Sequence, residues 1–488
     1  MKVEDKVMDL AKRRGFVWGP SPNIYHGGLK GFYDWGPLGK LLKNKVENVL
    51  RHGFTSFSFW EVECPTIMPK KVWEASGHLE GFSDPISKCL KCDSYFRVDS
   101  VINEKYPDLD VEGLNTEKLR EIVDKKKIKC QCGGDLGSIE NFDMMMKTKI
   151  GMDQEAYLRP ETATTTYLLY PEYFRFFRTK LPFGVFQIGK AYRNEISPRQ
   201  SVFRTREFTQ AEAQLFILKD QEKKYEKIND YADEVLPLIK HDSKSIKRVK
   251  LKDIVKEKYM KKEAYAYMVY VAYKLYKDMG FDEKKIRIIQ HSPDKLAFYA
   301  DDAWDIEINT DRYGWIELCG VHDRKDYDLK RHAEYSKTKM QVSGETPRIL
   351  EIAMGVERTT YALLENSLVE DKEREWLDFD KGMAPIDVAI FPLMKKEGMD
   401  DLAKEVFIDL DKEFICNYDD SGSIGRRYRR MDEIGTSFCI TVDHDSVKNG
   451  DVTVREIATM SQVRVKVSEL KSVFRELLNG DLKFERIK

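Results

Sequence analysis

The chain has 488 residues, of which 42% are hydrophobic and 34% charged, and its formal net charge is -1. This length predicts two or three domains with sizeable cores, and the balanced charge excludes a global basic field for nucleic acid. No apolar run reaches membrane-spanning length and the N-terminus lacks the apolar core of a signal peptide, so we expect a cytoplasmic protein whose eight cysteines form no disulfide scaffold.

Helical spacing predicts a helix over Lys2–Arg14 and a longer one over Gly36–His52, with Gly53 as its C-terminal stop. The loop between them is rich in glycine, proline and aromatic residues and is too apolar to be left exposed. A strand over Ser58–Glu63 follows, and Pro65 ends it. The long helix and this strand fit a dimer interface and the core of a monomer equally well.

Four cysteines occur in two close pairs, Cys89 with Cys92 and Cys130 with Cys132. Short spacing aims both sulfurs of a pair at one ion, so the set suits tetrahedral zinc, and four reduced thiols are the alternative. The segment between the pairs is charged and helical. Residues 88–148 are therefore predicted to form an inserted module.

Two β-rich runs, Phe186–Tyr192 and Glu207–Phe216, flank a polar loop that holds Pro198 and several arginines. This is the pattern of a long antiparallel hairpin. Charged side chains among the aromatic residues of such strands indicate a ligand or a salt-bridge network, and arginine forks suit phosphate and carboxylate. Upstream, residues 157–170 hold a turn at Pro160 that leads into a strand or a helix.

The lysine-rich region 219–303 is predicted to be a partly helical insertion, with Glu263–Met279 as its clearest helix. Contact with RNA and a solvated helical face are both compatible with its composition. Alternating apolar residues predict strands over Trp304–Leu329, and a strand over Arg348–Ile352 runs through Gly355 into a helix.

Strand, helix and strand alternate over Pro385–Phe391, Leu402–Phe414 and Phe438–Val442, which predicts a small parallel α/β domain. A basic cluster interleaved with Tyr428 suits phosphate contact and base stacking, and a salt-bridged helix face is the alternative. The cluster comprises Arg426, Arg427, Arg429 and Arg430.

These segments resemble the class II aminoacyl-tRNA synthetases, in the form of the dimeric archaeal and eukaryotic glycyl-tRNA synthetases. YRNE and FRTREFTQAE resemble motif 2, PRILEIAMGVER resembles motif 3, and the long helix with its strand and proline resembles motif 1. The resemblance implies an α+β fold: a catalytic domain over 1–382 with an antiparallel sheet and flanking helices, and a C-terminal α/β anticodon-binding domain over 383–488. It also implies a homodimeric ligase that activates glycine with ATP and magnesium and transfers it to the 3′ end of tRNA(Gly).

The resemblance also implies the site residues, with Arg193, Arg358 and Glu317 as the catalytic set and Glu317 as the magnesium ligand. Arg204 or Arg206 would grip the ATP phosphates together with Arg358. The implied ATP site comprises Arg193, Asn194, Glu195, Phe203, Arg204, Thr205, Arg206, Glu207, Phe208 (stacked on adenine), Glu317, Leu318, Gly355 and Arg358. The implied glycine site comprises Arg97, Glu161, Gln210, Glu212, Arg324, Glu351, Ala353 and Gly355.

The chain departs from the family pattern at two places: Thr164–Thr166 stand where the family has QGI, and Ala353 stands where it usually has a serine. A synthetase for another class II amino acid is one alternative function. A non-catalytic relative that binds nucleic acid is another, although such proteins lose the motif 2 and motif 3 arginines that are present here.

Overall fold

The computed structural model describes residues 6–25, 27–106, 109, 111, 113–196, 201–297, 300–372 and 374–487. Residues 2–5 of the first predicted helix and Pro198 of the predicted hairpin loop lie outside this part. Within it, no helix combines the length and apolar character that crossing a membrane requires. The helices are, in chain order, α1 Lys6–Arg14, α2 Pro37–Ser56, α3 Lys70–Ser76, α4 His78–Gly81, α5 Val98–Lys105, α6 Thr116–Lys125, α7 Ala163–Tyr167, α8 Tyr170–Phe176, α9 Lys219–Lys223, α10 Glu263–Asp278, α11 Tyr327–Ser336, α12 Val356–Asn366, α13 Met399–Leu410, α14 Ile424–Ile434, α15 His444–Asn449 and α16 Leu470–Leu478.

The strands of the described residues lie between these helices, several of them in direct succession. They are β1 Val17–Trp18, β2 Asp34–Trp35, β3 Phe59–Glu61, β4 Ile67–Pro69, β5 Ser83–Cys89, β6 Tyr95–Arg97, β7 Leu136–Asp143, β8 Met146–Ile150, β9 Gln154–Leu158, β10 Phe183–Tyr192, β11 Glu207–Ile217, β12 Val235–Ile239, β13 Lys247–Lys250, β14 Ile286–Gln290, β15 Asp302–Thr310, β16 Gly314–Lys325, β17 Arg348–Gly355, β18 Leu368–Glu370, β19 Glu375–Leu377, β20 Val388–Pro392, β21 Cys416–Tyr418, β22 Phe438–Val442, β23 Asp451–Glu456 and β24 Gln462–Lys466.

Among the described residues, nine strands form one large sheet in the order β13-β12-β14-β15-β16-β17-β11-β10-β3. Its centre is antiparallel, because β10, β11, β17, β16 and β15 pair in opposite directions. The predicted hairpin is confirmed: β10 and β11 pair from Phe183 opposite Phe216 to Tyr192 opposite Glu207. The sheet closes at one edge with β3, which runs parallel to β10.

Helix α10 packs against this sheet and is buried along almost its whole length. The hydroxyl of Tyr265 donates to the carbonyl of Val321 at 2.6 Å, which ties the helix to β16. A helix that is apolar all round is expected inside a core. The solvated helical face considered for this region does not hold for α10, which lies in the core, and residues 219–303 also extend the large sheet with β12, β13 and β14. That the region is an insertion stays a prediction.

Helix α2 runs past its predicted end at Gly53 and ends at Ser56. Gly53 lies inside the helix, at a point where an added Cβ would meet Leu275 Cδ2 of α10 at 2.1 Å. The glycine thus permits close packing of α2 against α10 instead of stopping the helix.

Between the first strands and the large sheet, β5, β6 and β7 form a small antiparallel sheet that packs with α5 and α6 around its own core. This unit carries the four paired cysteines. The residues of its core include Cys89, Phe96, Val98, Ile102, Leu119, Val123, Ile128, Cys130 and Leu136.

The C-terminal part has a sheet in the order β21-β20-β22-β23-β24 and a hydrophobic core of its own. β20 is parallel to β21 and β22, whereas β22, β23 and β24 pair antiparallel, so the predicted parallel sheet is a mixed one. Lys45 Nζ on α2 lies 2.7 Å from Asp387 Oδ1, which links this part to the rest of the chain.

Candidate active site

The centre of the large sheet forms the floor of a cavity of about 250 Å³. Glu212 on β11 is the cross-strand partner of Ala353 on β17, and Ala353 in turn faces Gly320 on β16. The next row joins Glu351 on β17 to His322 on β16. Cross-strand partners point to the same face of a sheet, so the register itself brings these side chains together.

Three carboxylates, those of Glu161, Glu212 and Glu351, line this cavity. Each receives a hydrogen bond from a hydroxyl of one short segment, residues 162–167. Thr164 Oγ1 donates to Glu161 at 2.6 Å, Thr162 Oγ1 donates to Glu212 at 2.6 Å, and the hydroxyl of Tyr167 donates to Glu351. The helix α7 in this segment therefore positions all three acids.

The closeness of the three acids changes their ionisation. Burial raises the pKa of Glu212 to about 8, and repulsion from Glu351 and Glu161 adds to the effect. Burial also raises the pKa of Glu351, although Arg324 opposes it. Burial acts in the same direction on Glu161, but His78 and Arg324 outweigh it and lower its pKa overall. The cavity thus holds more acid than its own cations balance, which suits a cationic ligand group.

Arginines occupy the other side of the cavity. Arg193 donates through Nε to the carbonyl of Pro160 at 3.1 Å, and its guanidinium lies 5.5 Å from the ring of Phe82 and 5.3 Å from that of Phe208. Stacking on two rings fixes the plane of the fork and leaves its edge for an anion. Phe208 lines the cavity, as expected for a residue that meets a nucleotide base.

Arg358, in the first turn of α12, donates through Nε to the carbonyl of Phe203 at 2.8 Å. Burial lowers its pKa, while Glu317 opposes the shift. Arg204 donates through Nε to Glu195 at 2.7 Å and also lines the cavity. Arg358 thereby presents its Nη1 and Nη2 groups to an anion at this end, whereas Nη2 of Arg204 also lies 3.8 Å from Asp84 Oδ2.

Glu317 on β16 is solvent exposed but stands within the cavity, beside Arg358. Although its side chain is open to solvent, the protein groups packed around it remove part of its hydration and raise its pKa, and the negative charge of Asp305 adds to the effect. A carboxylate that resists ionisation next to another carboxylate is suited to a divalent cation.

Several predicted site residues lie outside the lining of the cavity. Arg206 is directed at backbone, with Nε on the carbonyl of Glu195 at 2.7 Å and Nη1 on that of Lys30 at 2.9 Å. Arg97 is held by Asp84 at 3.2 Å and Asp99 at 2.7 Å. Asn194 and Glu207 also lie outside the lining. The remaining predicted residues Glu195, Phe203, Thr205, Gln210, Leu318, Arg324, Ala353 and Gly355 are brought into it.

The structure adds residues that the sequence analysis missed: Thr162, Tyr167, His78 and His322. The hydroxyls of Thr162 and Tyr167 were hidden because residues 157–170 fitted both a strand and a helix. His322 could have been found from strand periodicity, because it shares a face of β16 with Gly320. Nothing in the local sequence indicates His78, whose Nε2 lies 3.6 Å from Glu161.

The four paired cysteines converge. All four sulfurs lie within 4.8 Å of one another, with 3.6 Å between Cys89 and Cys132 and 3.7 Å between Cys92 and Cys130. A tetrahedral site with Zn–S bonds of about 2.3 Å requires sulfurs roughly 3.8 Å apart. A Cβ on Gly134 would lie 2.8 Å from the sulfur of Cys89, so this glycine keeps the space around the sulfurs clear.

The C-terminal arginine cluster divides into buried and exposed members. Arg427 is 4% exposed, and its guanidinium donates to the carbonyls of Pro392 and Gly422. These donors serve the fold, which argues against the prediction that Arg427 contacts RNA. Tyr428 is no free stacking platform either, since its ring packs on Phe391 and under Arg455.

The other three arginines of the cluster lie nearer the surface. Arg430 is bound to Asp419 and to the carbonyl of Ser421. Arg426 is exposed, and Arg429 is 69% exposed with Glu433 at 3.6 Å.

Two family models match the chain: "tRNA synthetase class II core domain (G, H, P, S and T)" over residues 146–367 and "Anticodon binding domain" over residues 387–477. A protein of Methanococcus vannielii named glycine–tRNA ligase is 38% identical, over 98% of this chain and 100% of its own length. One of Thermococcus gammatolerans with the same name is 39% identical, over 97% and 98%. The first alignment spans 577 positions, so that relative has segments which this shorter chain lacks.

Among solved structures, the prolyl-tRNA synthetase of Cryptosporidium parvum has a TM-score of 0.60 at 14% identity, over 98% of this chain and 78% of its own. At this identity the similarity concerns the fold, and it agrees with the expected α+β architecture of antiparallel sheet, flanking helices and a C-terminal α/β domain.

Proposed function

The chain belongs to the glycine–tRNA ligase family of class II aminoacyl-tRNA synthetases, and from this premise we propose that its central cavity is where glycine and ATP react. The carboxylate of glycine attacks the α-phosphorus of ATP, which yields glycyl-adenylate and pyrophosphate. The 3′-terminal ribose of tRNA(Gly) then takes the glycyl group. Both steps build up negative charge, so fixed positive charge is the main catalytic requirement.

The arginines supply that charge. Arg193, held between Phe82 and Phe208, is placed to bind the α-phosphate and the carboxylate of glycine. Arg204 and Arg358 grip the β- and γ-phosphates and bend the triphosphate. Arg204 is preferred to Arg206 for this role, because Arg204 lines the cavity whereas Arg206 lies outside it with Nε and Nη1 on backbone carbonyls.

The three acids bind the ammonium group of glycine. Glycine has no side chain to hold, so the attractive part of recognition is charge pairing with Glu161, Glu212 and Glu351. Exclusion of larger amino acids is steric. The observation that carries the proposal is the convergence of this acidic trio with Arg193 and Arg358 in one cavity.

ATP–pyrophosphate exchange with each of the twenty amino acids tests the proposal. We expect exchange with glycine alone, and exchange with a different amino acid instead would refute it. Glu161→Gln or Glu351→Gln should reduce glycine activation far more than ATP binding, because each removes a charge that faces the ammonium group. Unchanged glycine kinetics in both variants would contradict the assignment of the trio.

Magnesium fits the end of the cavity that holds Glu317. Mg²⁺ is usually bound by one or two carboxylates together with substrate phosphates, and Glu317 offers a carboxylate beside Arg358. The ion, when bound, neutralises charge on the phosphates. Glu317 also orients the cationic fork of Arg358 by attraction across the cavity.

Zinc fits the four cysteines in the unit built from β5, β6, β7, α5 and α6. The support is the spacing of the sulfurs and the clearance left by Gly134. We assign the ion a structural role, because four thiolates complete the coordination and leave no open position.

A homodimer through the edge strand β3 is the proposed assembly. Trp60 on β3 is 57% exposed and stacks edge-on, at 5.5 Å, against Phe176, which is 62% exposed. An exposed edge strand with large apolar side chains is a surface that proteins normally cover. Light scattering should show a dimer for the native chain and a monomer for Trp60→Glu.

The two proposed domains correspond to the two large hydrophobic cores of the described residues. We propose a catalytic domain over residues 1–382 and an anticodon-binding domain over 383–488, in which exposed Arg426 and Arg429 contact tRNA(Gly) while Arg430 and Arg427 maintain the fold. The cytoplasm, where tRNA is charged, is the proposed location.

A further inference from the structure

One side chain of the cavity has no part in the chemistry above. His322 on β16 is the cross-strand partner of Glu351, and its Nδ1 lies 3.8 Å from Glu351 Oε1, which is beyond hydrogen-bond distance. Among the described residues this buried Nδ1 has no hydrogen-bond partner. A buried polar atom without a partner costs free energy, so some requirement other than stability keeps an imidazole at this position.

The ring of His322 lies against the floor of the cavity at Gly320. A Cβ on Gly320 would lie 2.5 Å from His322 Cε1 and 3.1 Å from Nε2, so the imidazole rests directly on the backbone of Gly320. Gly320 faces Ala353, whose partner on the other side is Glu212. Cross-strand Cβ atoms lie about 5 Å apart, so the ring stands next to Ala353.

Two small residues, Gly320 and Ala353, thus lie beside the acids, and His322 fills the space that they leave. The ring does so without adding charge, because burial lowers the pKa of His322 to about 4. A neutral ring neither repels an ammonium group nor competes with it for the carboxylates. A lysine of similar reach would do both, and an aspartate would add a further negative charge beside the three acids.

We propose that His322 is a specificity-determining residue: its imidazole is the wall over Gly320 and Ala353 that leaves room for glycine and excludes amino acids with a side chain. This inference rests on the proposed function. It assigns steric exclusion to one side chain, whereas the acids supply only the attraction.

The test is ATP–pyrophosphate exchange with glycine, alanine and serine. Opening a pocket by a methylene or more changes discrimination by roughly 10- to 200-fold, so His322→Ala should raise kcat/KM for alanine relative to glycine by about that factor. His322→Leu, which keeps most of the volume without the nitrogens, should still exclude alanine. If His322→Leu admits alanine as well as His322→Ala does, volume is not the cause and the proposal is overturned.

Gly320 provides a second variant. In the His322→Ala background its nearest remaining neighbour would be Asp305 Oδ1 at 3.5 Å, so Gly320→Ala fits there and refills part of the space. The double variant should therefore exclude alanine better than His322→Ala alone. No difference between the two would also count against a steric wall.

The controls separate this inference from the proposed function. Failure of the native chain to activate glycine would refute the proposed function. If the native chain activates glycine and a folded His322→Ala variant still excludes alanine, the proposed role of His322 is refuted and the proposed function is not. His332→Ala is the matched control, since it removes another imidazole that has a buried ring nitrogen without a hydrogen-bond partner among the described residues, on α11 and outside the lining of the cavity. Loss of stability alone would affect both variants, but only His322→Ala should gain alanine activation.

Discussion

Binding of glycine should release a proton from Glu212. Burial and the neighbouring acids raise the pKa of this carboxyl to about 8, against an ordinary value of 4.5, so at pH 7 only roughly one in ten molecules carries the ionised form. The ammonium group of glycine favours that form. We therefore expect close to one proton to be released per glycine bound at pH 7, and an apparent affinity that improves by about tenfold between pH 6 and pH 7 and then levels off near pH 8.

The raised pKa of Glu212 makes the stability of the folded chain fall as the pH rises, whereas the affinity for glycine improves. The folded chain favours protonated Glu212, so the stability that this group contributes is complete below its ordinary pKa of 4.5 and is lost as the pH rises through about 8. Saturating glycine should restore it. Thermal unfolding between pH 4.5 and about pH 8 tests this, and the increase in unfolding temperature that glycine produces should grow with pH.

Isothermal titration calorimetry in two buffers of different ionisation enthalpy gives the number of protons released. The hydroxyl of Thr162 donates to Glu212 at 2.6 Å, and this hydrogen bond lowers the pKa of Glu212. Thr162→Val removes the hydrogen bond and should therefore raise that pKa, so the midpoint of the pH dependence should move to higher pH. Thr166→Val is the matched control, since its hydroxyl donates to the carbonyl of Thr162 at 3.1 Å. Heats that do not depend on the buffer, with an affinity that is constant from pH 6 to pH 8, would refute the reasoning.

Three further predictions concern the other parts of the chain. Arg358→Ala should raise the KM for ATP in pyrophosphate exchange by at least about tenfold, as expected for a charge-assisted contact, whereas Arg206→Ala should change it little; equal effects would contradict the placement of the triphosphate. Metal analysis should find one zinc per chain, and Cys92→Ser should lose it and lower the unfolding temperature; a metal-free native chain with unchanged stability would contradict the zinc site. Arg427→Ala should cost about 1–3 kcal/mol of unfolding free energy because buried carbonyls lose their donor, while Arg429→Ala should leave stability unchanged and weaken tRNA binding with a smaller salt dependence.

Local pattern predicted much of the sheet, because its central strands alternate apolar and charged residues, and the pairs β10–β11 and β15–β16 are neighbours in sequence, whereas β11 pairs with β17 from far along the chain. The hairpin of β10 and β11 is the clearest case. Region 219–303 was misread for a physical reason: its lysines lie on loops and edges, and they dominate the composition, whereas α10 carries its tyrosines into the core. Tyrosine is compatible with both a surface and a core, so composition did not distinguish them.

The site was predicted less completely than the fold. Glutamates and arginines stand out in a sequence, but the groups that hold them in place do not. Arg206 and Arg427 look equivalent to their neighbours in sequence, yet backbone carbonyls already occupy their donors. Which arginine of a cluster is free for a ligand depends on carbonyls far away in the chain, and single-sequence patterns contain no information about them.

The way in which the acids are held also bears on how glycine is recognised. Three carboxylates in one cavity repel each other, and cations would be the simplest means of holding them. Arg324, at 3.2 Å from Glu351, is one such cation. The hydroxyls of Thr162, Thr164 and Tyr167 instead supply neutral donors, which fix each carboxylate without neutralising it. A further fixed cation would compete with the ammonium group of the substrate, so neutral donors leave the negative charge available for glycine. On this reasoning Thr164, the one of these donors that departs from the family pattern, maintains the electrostatic attraction, and replacing it by lysine should weaken glycine binding more than replacing it by valine.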